Sequence, residues 1–201
     1  MWLVRHGEST WNALGIIQGQ RDQATLTSRG RIQAQQAAQR LASHPIAAIF
    51  ASDLLRTRET AAIVARSFGR SFSVDPALRE RCFGELEGAP AEALQPEVTG
   101  IVDDRVVDPH ARPAGGESLE ELYDRAAGFV DEVIRQQRGD VVVVAHGGSI
   151  RAIRSYCTGR PVGHMWWEPV ANGSVWRVVG GAQLDPSSNR AVNVQPSGGI
   201  R

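Results

Sequence analysis

The most constraining stretch of this chain is Asp140-Val-Val-Val-Val-Ala145. Four consecutive β-branched residues with no polar alternation offer no face to water, so the run reads as a central parallel strand covered on both sides. His146-Gly147-Gly148-Ser149 interrupts it, and a helix over roughly 149–157 is expected next. Upstream, Ser118-Leu119-Glu120-Glu121 is a capping box. Leu119, Leu122, Tyr123, Ala126, Val130, Val133 and Ile134 then recur at helical spacing. The same strand-and-helix alternation appears earlier. Residues 1–5 form a short apolar run, and Thr27 to Ser43 carries Ala34, Ala37, Ala38 and Leu41 on one face before Pro45. Ile46 to Ala51 reads as a second strand, followed by a helix with Ser52 as N-cap that ends at Gly69. The stretch 72–75 is a strand candidate. Leu78 to Gly116 shows no periodicity and reads as substrate-covering loop. Asn172–Val179 and Arg190–Val194 read as late strands near a sheet edge. The expected fold class is α/β: one domain over residues 1–201, a three-layer sandwich whose mostly parallel central sheet carries helices on both faces.

Composition removes several classes of function. The chain has 201 residues, no lysine and a formal net charge of zero. Zero net charge argues against nucleic acid or a membrane held by bulk charge. Without lysine, Schiff-base chemistry is excluded. No apolar run approaches the roughly 20 residues of a membrane span. Met-Trp-Leu-Val runs directly into Arg5-His6, unlike a signal peptide. Cys82 and Cys157 lack any zinc-type spacing, so reduced thiols and a cytoplasmic location are expected.

Ligands of open α/β sheets bind beyond the carboxyl ends of the strands. Three of the expected strands end at reactive groups: Arg5-His6-Gly7, Ser52 with Arg56 a turn later, and His146-Gly147-Gly148. Brought together, they place two imidazoles, two guanidiniums and a helix N-terminus in one crevice. That set suits a phosphate dianion, because arginine forks bind its oxygens and helix-start N–H groups add donors. One histidine could then attack phosphorus while the other, protonated, stabilises the oxygens.

Leu3-Val-Arg-His-Gly-Glu-Ser-Thr-Trp-Asn12 resembles the N-terminal signature of the histidine phosphatase, or phosphoglycerate mutase-like, superfamily. Further blocks follow in order: Gln18-Gly19-Gln20-Arg21-Asp22, Leu26 to Gly30, Ser52 to Arg56 with Thr60-Ala61, Leu78-Arg79-Glu80, Phe83-Gly84 with Glu87-Gly88, Gly115 to Ser118, and Val144 to Gly148. The resemblance covers about residues 3–150. It implies that His6 becomes phosphohistidine, and that Arg5, Arg56 and His146 hold the phosphoryl group with Asn12 assisting. It also implies that Glu80 is general acid and then general base, that Gln18, Gly19 and Gly147 meet substrate, and that no cofactor or metal is needed.

Most other polar residues take a structural reading. Arg105, His110, Arg112 and His164 are expected in solvent, as are Arg151 and Arg154 on a helix face; Trp166-Trp167 is expected in buried packing. Trp11, Phe83 and Trp166 suggest a neutral, aromatic site lining. The expected function is hydrolysis of a small phosphorylated metabolite by a phosphomonoesterase, with a homodimer left open. A cofactor-dependent phosphoglycerate mutase is the main rival, and a non-catalytic phospholigand-binding module is another. Such mutases carry paired arginines and a proline run in the interval that here, over 89–114, holds only Arg105 and Arg112 as basic residues. No Gly-x-Ser-x-Gly elbow supports a serine hydrolase, and no tight ligand spacing supports a metallohydrolase.

Overall fold

A computed structural model describes residues 1–178. The elements in chain order are β1 (Trp2–Arg5), α1 (Thr10–Ala13), α2 (Ser28–Leu41), β2 (Ile46–Ala51), α3 (Leu55–Ser67), β3 (Ser73–Val74) and α4 (Pro96–Thr99). They continue with β4 (Ile101–Val102), β5 (Arg105–Val106), α5 (Leu119–Gln136), β6 (Asp140–Ala145), α6 (Gly147–Cys157) and β7 (Val175–Arg177). Five strands form one sheet in the order β3-β2-β6-β1-β7. All its pairings are parallel except that of β1 with the edge strand β7.

The valine run stands at the centre of this sheet. Its side chains alternate between two cores, as a strand with both faces covered requires. Val141, Val143 and Ala145 join Leu3 beneath α5 and α6, packed on Leu122, Phe129, Ile150 and Ile153. Val142 and Val144 join Trp2 and Val4 beneath α2 and α3, packed on Ala38, Leu41, Ala61 and Val64. The three-layer α/β sandwich expected from the sequence is the observed fold.

Local signals account for most helix boundaries. Ser118 accepts from the Glu121 N–H at 3.1 Å while the Glu121 carboxylate accepts from the Ser118 N–H at 2.9 Å, so the capping box forms as read. Thr27 caps α2 through the Gly30 N–H. Ser52 does not cap α3. The helix starts at Leu55, with Leu54 at the N-cap, and the Asp22 carboxylate from a distant loop takes the Leu55 N–H instead. Likewise α6 begins at Gly147, two residues earlier than the sequence suggests.

Between Leu78 and Gly116 lie short 3₁₀ turns, α4 and the β4–β5 hairpin. Arg81 fastens this irregular arm: its guanidinium donates to the carbonyls of Glu117, Thr99, Val98 and Ala111. Of the late strands, only Val175–Arg177 forms within Asn172–Val178; Val179 and Arg190–Val194 lie outside the described residues. Among the described residues no helix is long and apolar enough to cross a membrane.

Candidate active site

Three neighbouring strands run out at one level of the sheet. Arg5 pairs with Ala145 and Ala51 with Val144, so β1, β6 and β2 release their chains side by side. The His6 N–H still donates to the Ala145 carbonyl at 3.0 Å, and the Ser52 N–H to the Val144 carbonyl at 3.0 Å. The His6 and His146 rings consequently meet edge to face, 5.2 Å between centroids and 63° between planes. Both are buried. Nδ1 of His6 lies 2.7 Å from the Gly7 carbonyl. A carbonyl only accepts, so Nδ1 carries the hydrogen and Nε2 keeps its lone pair with no hydrogen-bond partner.

Two guanidiniums flank these rings. Arg56, 1% exposed in the first turn of α3, donates to the carbonyls of Arg21 at 2.9 Å and Gly19 at 2.7 Å. Arg5 donates to the Val170 carbonyl. Burial, and then the guanidiniums of Arg56 and Arg5, hold the His6 imidazole well below its ordinary pKa. Burial and Arg56 do the same to His146, with His6 and Arg5 adding to the effect. Arg56 itself is pushed down to about 10, chiefly by burial.

Four buried polar atoms here have no partner: Nε of Arg5, Nε of Arg56, and both ring nitrogens of His146. Each unmade hydrogen bond of this kind costs on the order of 1–3 kcal/mol, so their gathering in one crevice calls for a ligand with several acceptor oxygens.

Glu80 closes the other side. Both its carboxylate oxygens accept from the Gly148 N–H, at 3.0 and 3.1 Å, and Oε1 also accepts from the Arg81 N–H at 2.8 Å. The carboxylate thus sits on the N-terminus of α6, where the helix dipole favours negative charge. A side chain at Gly148 would collide with it. A β-carbon built on Gly147 would lie 3.4 Å from Nη1 of Arg151, 3.8 Å from Oε2 of Glu80 and 4.0 Å from Cζ of Arg5, so three charged groups converge over this glycine. The Glu80 carbonyl is held by Gln20 Nε2 at 3.1 Å and Arg125 Nη2 at 2.9 Å. Arg125 also grips the carbonyls of Ala77 and Arg79 and pairs bidentately with Glu117, at 2.6 and 2.9 Å. Among the described residues no group of three or more His, Cys, Asp or Glu side chains is arranged to hold a metal ion.

The model of the histidine phosphatase superfamily (branch 1) matches residues 1–184. The chain belongs to that superfamily. It is 40% identical over 157 residues to phosphoglycerate mutase-like protein 4 of Arabidopsis thaliana, covering 75% of this chain and 67% of that protein. It is 38% identical over 170 residues to a protein of Yersinia enterocolitica named "Probable phosphoglycerate mutase GpmB", covering 80% and 75%. Among solved structures, a mycobacterial glucosyl-3-phosphoglycerate phosphatase in complex with VO3 superposes with a TM-score of 0.76 at 29% identity, covering 88% of this chain and 90% of that one.

The fold brings His6, His146, Arg5, Arg56, Glu80 and Gly147 together, as the superfamily signature implies. Asn12 stands beside them through Asn172, whose Nδ2 donates to the His6 carbonyl at 3.1 Å and to Asn12 Oδ1 at 3.2 Å. Gln18 and Gly19 are tied inward: Gln18 Oε1 accepts from Ser9 Oγ at 2.8 Å, and the Gly19 carbonyl holds Arg56. Asn172, Arg125 and Arg151 carry no motif, and Gln20, though inside a signature block, has no role assigned by the resemblance. The expected solvated face of Arg151 and Arg154 is a correction. The segment 162–170 covers α6, so Arg154 is 3% exposed with its guanidinium 4.1 Å from the Trp176 ring centroid. Trp166 and Trp167 are half-buried rather than core, stacked by Arg160 and Arg151 respectively. Phe83, expected as lining, lies under the Arg81 guanidinium.

Proposed function

We propose that this protein is a phosphomonoesterase that hydrolyses a small organic phosphate through a phosphohistidine on His6. The observation that carries this reading is the set of unpartnered nitrogens on Arg5, Arg56 and His146 around an imidazole whose Nε2 is free. His6 Nε2 attacks phosphorus, the P–O ester bond breaks, and Glu80 gives its proton to the departing oxygen. Glu80, now a carboxylate, takes a proton from water. The resulting hydroxide attacks phosphorus, the P–N bond breaks with its electrons returning to Nε2, and inorganic phosphate is released. Arg5, Arg56, the α6 N-terminus and His146 spread the charge on the equatorial oxygens, work for which kinases use a metal ion. The depressed proton affinity of His6 supports the nucleophile role, since it keeps the lone pair available at neutral pH.

Curated relatives bear mutase names, so isomerisation of phosphoglycerate is the second reading. Mutases must retain a bisphosphate while it turns. Here the basic residues of the 89–114 interval point elsewhere: Arg105 is exposed and Arg112 pairs with Glu121 at 3.1 Å. Hydrolysis is therefore preferred. The test is p-nitrophenyl phosphate hydrolysis, unaffected by EDTA, by wild type and His6→Ala. A loss of about 10⁴-fold or more is expected on substitution, and wild-type rates in His6→Ala would refute the mechanism. Release of 2-phosphoglycerate rather than inorganic phosphate from 3-phosphoglycerate with 2,3-bisphosphoglycerate would favour the mutase.

A further inference from the structure

Arg56 and Glu80 enter the crevice on different segments. Arg56 rises from α3 and is oriented by the carbonyls of Gly19 and Arg21, in the loop 18–22, while Glu80 lies on the irregular arm after Leu78. One side chain belongs to both settings. Glu87 Oε1 accepts from the Gln20 N–H of the loop at 2.9 Å and from the Phe83 N–H of the arm at 3.0 Å. Its Oε2 lies 3.6 Å from Nε of Arg21. Gln20 extends the bridge, since its Nε2 donates to the Glu80 carbonyl at 3.1 Å.

The carboxylate is built into the fold. The Glu87 side chain is 7% exposed, and a buried carboxylate persists where donors match it. Gly19 has a φ of +48°, and a β-carbon there would collide with Glu87 Oε1, so the loop backbone lies directly on the carboxylate. Backbone pairing of Ile17 with Gly88 and Ala89, both bonds 2.9 Å, brings the two segments together. Glu87 fixes the turn beyond that pairing, where the Arg21 N–H donates to the Gln18 carbonyl and the intervening carbonyls meet Arg56. We propose that Glu87 is a positioning residue that sets Arg56 and Glu80 in register, so that the phosphoryl oxygens and the leaving oxygen are met together. It acts through the carbonyls of Gly19 and Arg21 on one side and through Gln20 and Phe83 on the other. The Glu80 half rests on the phosphatase reading above, whereas the Arg56 half concerns phosphate binding alone. Misplacing such groups by about an ångström can cost on the order of 10² in rate.

The test combines a phosphate titration with a double-variant cycle. Glu87→Ala should weaken the binding of inorganic phosphate about tenfold, near the worth of one charge-assisted hydrogen bond. It should also lower kcat/KM for p-nitrophenyl phosphate about tenfold in the wild-type background and leave it unchanged in Arg56→Met, because the two residues act as one unit. On glycerol 3-phosphate, whose alkoxide needs the acid, the loss should be about tenfold greater again. Glu87→Gln keeps the Oε1 acceptor and should restore most of each loss. Wild-type phosphate affinity in Glu87→Ala, or losses on p-nitrophenyl phosphate that multiply in the double variant, would overturn the proposal. Equal losses on the two substrates would overturn its Glu80 half. Should Glu87→Ala fail to fold, Glu87→Gln in the same cycle decides, with a loss of about threefold expected alone and none beside Arg56→Met. The phosphate titration needs no turnover, and His6-dependent hydrolysis of p-nitrophenyl phosphate decides the phosphatase reading separately.

Discussion

Two pairs of arginines in this molecule, each with one buried and one half-buried member, look alike in composition and differ in what surrounds them. Arg81 and Arg125, in the arm that carries Glu80, have every guanidinium nitrogen matched to a backbone carbonyl or to Glu117. Arg5 and Arg56, at the strand ends, each leave Nε buried and unmatched, and His146 between them leaves both ring nitrogens so. The first pair is finished by folding. The second, on the proposed function, is finished by a ligand. Arg154 also has unmatched nitrogens, but indole rings of Trp176 and Trp166 lie against it, which serves a cation without hydrogen bonds. Satisfaction of hydrogen-bonding groups, rather than burial or charge, separates the two pairs.

The largest expected effect is on the unfinished pair. Arg56→Met should lower kcat/KM by on the order of 10²–10³, as removal of one preorganised charge-stabilising donor does. It should also erase the thermal stabilisation that inorganic phosphate gives wild type, about 2.7 kcal/mol at a hundredfold excess over Kd. Retained phosphate stabilisation in Arg56→Met would dissolve the distinction.

Arg125→Met should do the reverse. Stranding the Glu117 carboxylate, whose side chain is 13% exposed, should cost about 3 kcal/mol and lower Tm by roughly 10 °C, with phosphate stabilisation intact. Because Arg125 positions the Glu80 segment, its rate loss should be larger for an alkyl phosphate, which needs the acid, than for p-nitrophenyl phosphate. Equal losses on the two would make its role structural only.

The smallest effect is in the pH dependence of stability. Both site histidines have pKa values below the ordinary 6.5, so the unfolded chain binds more protons below that pH. Their contribution is full above about pH 6.5 and is lost as the pH falls. In phosphate-free buffer Tm should drop between pH 7 and 5 by a few degrees, and less steeply in His146→Gln. The carboxylate of Asp53, held down by its bond to Arg79, titrates below this window. Parallel slopes in the two proteins would contradict the assignment.

What the sequence showed follows the same division. The valine run, the Ser118 box and the two histidines at strand ends are local signals, and each keeps its meaning in the fold. Residues whose role depends on a distant partner were illegible. Ser52 looks like an N-cap until Asp22 arrives from another loop. Arg151 looks solvated until residues 162–170 fold over α6, and Arg125 is a plain polar helix position until the carbonyls of 77–80 reach it. Asn172 carries no motif, and only the return of the chain beside β1 brings it to the His6 carbonyl.

The central claim is that phosphorus becomes bonded to His6. Rapid quenching of wild type with a turning-over phosphomonoester, followed by mass spectrometry under alkaline conditions, tests it directly. The account predicts an acid-labile, alkali-stable phosphoryl group on the peptide containing His6, absent from His6→Ala and accumulating when Glu80→Gln slows its hydrolysis. Phosphate release with no phosphohistidine on the pathway, or with the phosphoryl group on another residue, would contradict it.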